Sequence, residues 1–328
     1  MKIAILHDRI AETGAYPDQR DVLEQANAVG HALEDLGHES MRFALTMDMK
    51  ALMRELKRLK PDLVFNLVES VEGHGRLIHL VPTVLELLGV PYTGSSADTL
   101  YMTSNKIIAK KVLEGAGIRT PQSFLANGLD HGNTLPKGPY IIKSIWEHAS
   151  IGLDEDSVLR VEDPQQLFSE LGQRTHKLGG ACFAESYIEG REFNLSLLAS
   201  YEGQEVLPPA EIRFHNYPED KWRIVDYKAK WDHASFEYDH TCRSFEIPGS
   251  DQPLLLRLGT LAKKCWELFD VRGYARVDFR VDKDNQPWVL EINTNPCLSP
   301  DAGFVAAAFQ KGLEFNQVIE RIIRHRIH

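Results

Sequence analysis

The chain has 328 residues, 26% of them charged and 43% hydrophobic, and carries a formal net charge of −10. That length favours two or three packed modules with a sizeable core, and acidity of this size argues against a nucleic-acid or anionic-membrane partner while leaving room for a locally positive cleft. Cys182, Cys242, Cys265 and Cys297 include no CxxC pair, and the apolar run from Ile3 to Leu6 breaks at His7-Asp8. Free thiols, no signal peptide, no membrane span and a cytoplasmic location are therefore expected.

Lys2 to Leu6 reads as a strand, and Val22, Ala26, Val29, Leu33 and Leu36 recur at helical spacing up to Gly37. The strand signal returns at Asp62 to Val68, the helix signal at Leu77 to Leu88, and Gly89 to Gly94 reads as a short strand ending in a turn. This predicts a parallel α/β module over residues 1–96. A helix from Ser104 to Gly115, a strand around Tyr140 to Ile145 and a turn-rich piece from Trp146 to Gly152 make a second module, 97–184. From Ala181 onward β signals dominate, interrupted by a polar and aromatic stretch from Trp231 to Gly249 that reads as a functional loop. Helices near Gly303 to Lys311 and Phe315 to Arg326 close a third module, 185–328, and no internal repeat occurs. The expected class is α/β combined with α+β.

The sharpest local signal is at Tyr274 to Val281, where Tyr274, Arg276, Asp278 and Arg280 face one way and Ala275, Val277, Phe279 and Val281 the other. After a turn over Asp282 to Pro287 the run to Asn293 alternates again, with Val289, Glu291 and Asn293 sharing a face. Pairing Asp282 with Pro287 puts Asp278 opposite Glu291 and Arg276 opposite Asn293, with Cβ atoms roughly 5 Å apart. Two opposed carboxylates destabilise a sheet unless one is protonated or a cation sits between them. Mg²⁺ answers this, with oxygen ligands from Asp278, Glu291 and Asn293, while Arg276 meets phosphate. The bland alternative is a solvated hairpin with decorative charges. Against it, the polar face runs into Asn293-Thr294-Asn295-Pro296, a rigid turn with backbone amides for a developing oxyanion.

Several ordered segments carry a wider likeness: Val64-Phe65 through Leu85 to Ser95, Asn105-Lys106 followed by Gly115 to Ile118, Ile141-Ile142-Lys143, Glu185 to Ile188 with Glu192-Phe193, Ala229-Lys230, and Leu290 to Pro296. In this order they resemble the D-alanine:D-alanine ligase family of the ATP-grasp superfamily. The resemblance implies an ATP-grasp fold behind an N-terminal parallel α/β domain, and an ATP-dependent carboxylate–amine ligase working through an acyl phosphate. It implies that Lys106 and Lys143 touch the phosphates and the adenine edge, that Glu185, Ser186, Tyr187, Ile188 and Leu290 hold the base, and that Glu192 holds the ribose. Lys230 and Ser150 fall on phosphate contacts, Arg276 on the transition-state arginine, and Asp278, Glu291 and Asn293 on ligands of two Mg²⁺ ions, which Mn²⁺ can replace. Cys297 offers a backbone N–H to an oxyanion. The implied partners are ATP and small carboxylate and amine substrates, amino acids in the family, and a homodimer is compatible with it.

The substrate half departs from that pattern. Leu6 is followed by His7-Asp8-Arg9 with no counterpart of the family's N-terminal glutamate, and the family's Gly-Ser-Ser turn appears as His148-Ala149-Ser150. Trp231 replaces a tyrosine, Cys297 a glycine, and Ala302-Gly303 a Ser-Leu pair. An authentic D-alanine:D-alanine ligase, a tailoring ligase joining an amino acid to a small metabolite, and a non-catalytic ATP-binding regulator are the competing readings. No GxGxxG or GxxxxGK[ST] supports a Rossmann or P-loop protein, and Asp232-His233 with His240 and Cys242 matches no zinc spacing and reads as polar lid residues.

Overall fold

In a computed structural model of the chain, residues 1–10, 17–126, 138–146, 150, 152–161 and 163–327 are described, with the backbone alone for 17–19. The N-terminal part alternates β1 (Lys2–Asp8), α1 (Pro17–Asp35), β2 (Glu39–Leu45), α2 (Met49–Leu59), β3 (Leu63–Asn66) and α3 (Leu80–Leu88). Its strands pair in parallel in the order β2-β1-β3. β1 carries an unbroken apolar run from Ile3 to Leu6 and β3 one from Leu63 to Phe65 because both faces are covered: Ile3, Ile5 and Phe65 pack with α1, while Ala4, Leu6 and Val64 pack with α2 and α3. The sheet order reverses at β1, and open α/β sheets take ligands in the crevice beyond the carboxyl end of such a strand. Asp8 is the last residue of β1.

The middle part contains α4 (Ala97–Ser104), α5 (Lys106–Gly115), β4 (Ser123–Phe124), β5 (Gly138–Ser144), β6 (Val158–Val161), α6 (Pro164–Arg174) and β7 (Cys182–Ser186). Its antiparallel sheet runs β4-β7-β5-β6. The helix expected from Ser104 to Gly115 is α5, starting at Lys106, and α4 just before it was not anticipated. Asn105 separates them, its side-chain oxygen accepting from the N–H groups of Ile107 and Ile108 at 3.1 and 3.0 Å. That cap puts Lys106 at the first position of α5.

The remainder comprises β8 (Arg191–Ser200), β9 (Gly203–Val206), β10 (Ala210–Phe214), α7 (Tyr227–Trp231), α8 (Phe236–His240), β11 (Thr241–Ser244), α9 (Gln252–Leu268), β12 (Tyr274–Val281), β13 (Pro287–Asn293), α10 (Gly303–Gln310) and α11 (Phe315–Arg324). Its sheet runs β11-β10-β8-β12-β13, with β9 on β8. The expectation of a plain loop from Trp231 to Gly249 is corrected here. Ser235 caps α8 by accepting from the Tyr238 N–H, and the next residues pair with β10 as an edge strand. α10 and α11 turn back onto the N-terminal sheet, so Val305, Val318 and Ile322 share one core with Ile3, Val29 and Phe65. Tyr92 and Ile327 exchange backbone hydrogen bonds of 3.0 and 2.8 Å and pack in the core on the sheet's other face, with Ala4 and Val64. Among the described residues no helix is long and apolar enough to cross a membrane.

The β12–β13 hairpin has the expected pairs Asp278–Glu291 and Arg276–Asn293, reached by another route. Val281, rather than Asp282, pairs with Pro287, and the register shifts after Phe279–Val289, so that Leu290 and Glu291 together oppose Asp278. The bulge also corrects the facing of Val289. Val289 lies in the core with Val277 and Ile292, while Leu290 and Glu291 both line a cleft.

A close backbone approach anchors the far end of β12. Gly190 has φ +150°, a Cβ there would stand 2.0 Å from the Val281 carbonyl oxygen, and its own carbonyl accepts from Arg280 Nη1 at 3.0 Å. Gly190→Ala must push two backbones apart and is expected to destabilise the fold by roughly 2 kcal/mol or more. A urea midpoint equal to that of the parent chain would contradict this packing.

Candidate active site

A cleft of about 720 Å³ opens between the two antiparallel sheets, with one end walled by residues from β1 and α1. Every site residue named from the sequence lines it: Lys106, Lys143 and Ser150; Glu185, Ser186, Tyr187, Ile188 and Glu192; Lys230, Arg276, Asp278, Leu290, Glu291, Asn293 and Cys297. His148 and Ala149 lie outside the described residues.

On the wall built by α5, β5 and β7, the buried Glu185 carboxylate stands between two lysines. Lys143 Nζ is 2.5 Å from Oε1 and Lys110 Nζ 2.6 Å from Oε2. Burial works against the carboxylate's charge, but Lys110 and then Lys143 more than offset it and hold its pKa below the usual range. Lys110 also donates to Thr120 Oγ1 and the Pro121 carbonyl, and desolvation holds its pKa below the ordinary lysine value despite Glu185. The Glu185 side chain thus aims Lys143. In the segment that follows, the Ser186 and Tyr187 N–H groups already donate to the carbonyls of Gln122 and Pro139, each at 2.9 Å. Lys110 was missed from the sequence, although its i+4 spacing from Lys106 on α5 was the available signal. Glu192, on β8, is held at 2.9 Å by Arg280, whose guanidinium lies over the Tyr187 ring.

The hairpin face relieves its own charge. Arg276 donates from Nε and Nη2 to the two oxygens of Asp278 at 2.7 and 2.8 Å, and Asn194 Nδ2 adds a bond of 2.8 Å. The two opposed carboxylates therefore do not depend on a metal to coexist, because Arg276, two residues before Asp278 on the same strand, supplies the positive charge. Desolvation opposes the Arg276 charge, but Asp278, then Glu291 and Glu192, raise its pKa above the ordinary value. Asn194 was also missed, although it alternates with Glu192 along β8. Asn293 Oδ1 accepts from the Asn295 N–H at 2.9 Å and lines the cleft with its remaining lone pair. Lys230 sits in α7, which begins at Asp226 with an N-cap bond of 2.8 Å to the Ala229 N–H. Burial depresses the Lys230 pKa, Arg276 adds to the effect, and Glu291, Asp278 and Glu192 oppose it. The Asp278, Glu291 and Asn293 oxygens are hard donors facing one space, a set that fits Mg²⁺. Ser150, at φ +62°, donates to the Val225 carbonyl at 2.7 Å.

Beyond the hairpin the cleft meets the N-terminal layer. Cys297 Sγ donates to Asp21 Oδ2 at 3.0 Å, and burial, then Glu69 and Asp21, push the thiol pKa well up, so it is no thiolate nucleophile at neutral pH. Asp8, which the sequence reading assigned no role, is buried at the cleft end of β1. It accepts from Ser70 Oγ at 2.6 Å and the Glu69 N–H at 2.8 Å, and no cation pairs with it among the described residues.

The family described as D-ala D-ala ligase C-terminus matches residues 128–324. The uncharacterized protein y4sG of Sinorhizobium fredii is 33% identical over 91% of this chain and 86% of its own. The D-alanine–D-alanine ligase of Moorella thermoacetica is 30% identical over 98% of each chain, and that of Aquifex aeolicus 29% identical over 94% of this chain and 97% of its own. The solved D-alanine–D-alanine ligase from Bacillus anthracis superposes with a TM-score of 0.73 at 23% identity, covering 99% of this chain and 97% of that one. Fold and relatives define an ATP-grasp enzyme, an ATP-dependent carbon–nitrogen ligase. The chain belongs to the D-alanine:D-alanine ligase family.

Asp8 makes stability depend on pH. Desolvation raises its pKa from 3.8 to about 6, against its hydrogen bonds to Ser70 and Glu69. The folded chain keeps a proton that the unfolded chain releases, so this contribution is complete below pH 3.8 and lost as pH rises through about 6. Asp8→Asn, neutral throughout, is expected to gain roughly 3 kcal/mol on the parent chain between about pH 4 and about pH 7. Denaturant unfolding of both chains measures this, and a difference that does not vary with pH would contradict it.

Proposed function

We propose that the enzyme uses ATP and Mg²⁺ to phosphorylate a small carboxylate, an amino acid, and joins the resulting acyl phosphate to an amine, with D-alanine not the preferred substrate in both positions. The observation carrying this reading is the convergence of Lys106, Lys143 and Lys230 with Arg276, Asp278, Glu291 and Asn293 on one cleft. Cytoplasmic location, a homodimer and a division into modules at 1–96, 97–184 and 185–328 belong to the same proposal, although β7, running to Ser186, favours a final boundary a few residues later.

Lys143, aimed by Glu185, and Lys106 hold the nucleotide phosphates, and Leu290 offers the base an apolar surface. Glu192, fixed by Arg280, takes the ribose hydroxyls. Lys230 neutralises the γ-phosphate while the substrate carboxylate approaches it, and Arg276 spreads charge on the transferring group. Asp278, Glu291 and Asn293 hold the Mg²⁺, which supplies a Lewis acid for the phosphate oxygens when bound. Asp8 meets the ammonium of the acid substrate, whose charge relieves the cost of a buried carboxylate without a cation. The side chains around Cys297, Trp231 and Tyr238 keep water from the acyl phosphate.

The divergent pocket rests on Asp8 in place of a glutamate, on Trp231 and on Ala302-Gly303. Losing a partner for a buried substrate charge typically costs on the order of 2 to 5 kcal/mol, enough to redirect specificity. An authentic D-alanine:D-alanine ligase would make D-alanyl-D-alanine faster than any other product. A regulator would bind ATP without turnover, a reading disfavoured by the Arg276–Asp278 arrangement, which ATP sensing does not need.

Pairwise screening of amino acids and small carboxylates for ATP-dependent phosphate release, with product masses, tests the proposal. Substrate-dependent release is expected from the parent chain. Glu291→Gln should lower it roughly 100-fold or more while its thermal unfolding stays near that of the parent. Parent-like turnover in Glu291→Gln, or no productive pair at all, would overturn the assignment.

A further inference from the structure

Lys106 and Lys110 stand one turn apart on α5, at different depths. Lys106 lines the cleft with Lys143 and Glu185, whereas Lys110 lies behind the wall with its side chain only 2% exposed. Glu185 is buried as deeply as Lys110, and each of its oxygens faces one ammonium, Oε1 that of Lys143 at 2.5 Å and Oε2 that of Lys110 at 2.6 Å. Of the three groups, Lys143 at 18% is the one that water reaches. The Lys110 ammonium is fixed where it is. It donates to Thr120 Oγ1 at 2.8 Å and to the Pro121 carbonyl at 2.9 Å, both on the segment between α5 and β4, and these bonds hold it behind the carboxylate.

The charges of this buried cluster do not cancel. Lys110 and Lys143 are two cations on one carboxylate, and the other acid in range of Lys110, Glu114 on α5, is exposed and screened by water. Against the desolvation that works on its charge, Glu185 is held below the usual carboxylate range by Lys110 more than by Lys143. A lysine alone with a buried carboxylate has its charge cancelled by that partner. A carboxylate shared by two lysines leaves one net positive charge on the group, and the low dielectric of the interior carries its field to the cleft. An anion in the cleft meets that field at Lys143, the exposed member.

We propose that Lys110 is a positioning residue for the nucleotide phosphates: from behind the wall it holds one oxygen of Glu185, so that the other oxygen orients Lys143 without using up its charge. This rests on the ligase reading above, in which Lys143 meets a phosphate. Lys110 touches no ligand and acts through Glu185. Without it, Glu185 and Lys143 form a closed pair with no net charge, and Lys143 is drawn to the carboxylate rather than to the phosphate. The plainer role, tying Thr120 and Pro121 to α5, concerns the same side chain but involves neither Glu185 nor the cleft.

The measurement is what the phosphates add to affinity: the ratio of the dissociation constant of adenosine to that of a non-hydrolysable ATP analogue, both with Mg²⁺ and the full chain. Changes confined to the base contacts cancel in that ratio. In Lys110→Met it should fall about 30-fold, the size of one charge-assisted hydrogen bond. In the double variant Lys110→Met, Glu185→Gln, where Lys143 faces a neutral partner and one net charge is restored, it should return to within about threefold of the parent value. A structural tie would not be restored in this way, because the bonds to Thr120 and Pro121 are still missing. An unchanged ratio in Lys110→Met, or a double variant more than about threefold below the parent, overturns the inference. The second criterion holds even where Lys110→Met alone does not fold. The expected pattern in a chain that shows no substrate-dependent turnover would sustain the inference and sink the ligase reading. A parent chain that binds adenosine as tightly as the ATP analogue would overturn the inference together with the nucleotide reading.

Discussion

The pairing of β12 with β13, and the extra residue it accommodates at Leu290, is the constraint on which the rest of the site depends. A regular ladder over these strands alternates core and cleft side chains. The bulge interrupts that alternation once, so an apolar side chain and a carboxylate come out next to each other on the cleft side while Val289 and Ile292 both stay in the core. One short piece of chain thereby presents to the cleft both the apolar surface that the proposal gives to a base and the hard oxygens that it gives to a metal. β8, the other neighbour of β12, places Asn194 opposite Asp278 and thus completes a polar surface across three strands.

Charge is managed by pre-pairing. An acidic chain forms a cleft for polyphosphate by giving its buried cations fixed partners: Glu185 for Lys110 and Lys143, Asp278 for Arg276, Glu192 for Arg280. Each pair fixes a direction and opposes desolvation, which the partners outweigh for Glu185 and Arg276 and only reduce for Lys110. Lys143, Arg276 and Arg280 are therefore oriented without ligand, which on the proposed reading lowers the ordering cost when a nucleotide binds. Asp8 is the contrasting case, a carboxylate facing the substrate end with only neutral hydrogen-bond partners among the described residues.

How much of this was legible in the sequence depended on the range of the interaction. Alternation in Tyr274 to Val281 was enough to put Arg276, Asp278 and Arg280 on one face, because a strand's period is local, whereas Asp278 meets Glu291 only because a one-residue difference in the turn register is cancelled by the bulge. The bulge was not legible, since one extra residue leaves no mark in composition, and Val289 was accordingly placed on the wrong face. α4 escaped because Ala97 to Ser104 is a short run of small, polar and apolar residues without a continuous apolar stripe. Asp8 owes its position to the strand order β2-β1-β3, and Lys110 to the depth at which α5 packs. Each is set by contacts distant in sequence, which spacing does not encode.

The central claim is that the bulged hairpin face is a metal-dependent nucleotide site. Calorimetric binding of a non-hydrolysable ATP analogue, in Mg²⁺ and in chelator, tests it most directly. Affinity at least about tenfold higher with Mg²⁺, some 1.4 kcal/mol of binding free energy, is what the site requires. Equal affinity in the two conditions would mean that Asp278, Glu291 and Asn293 form a self-compensated polar surface and nothing more.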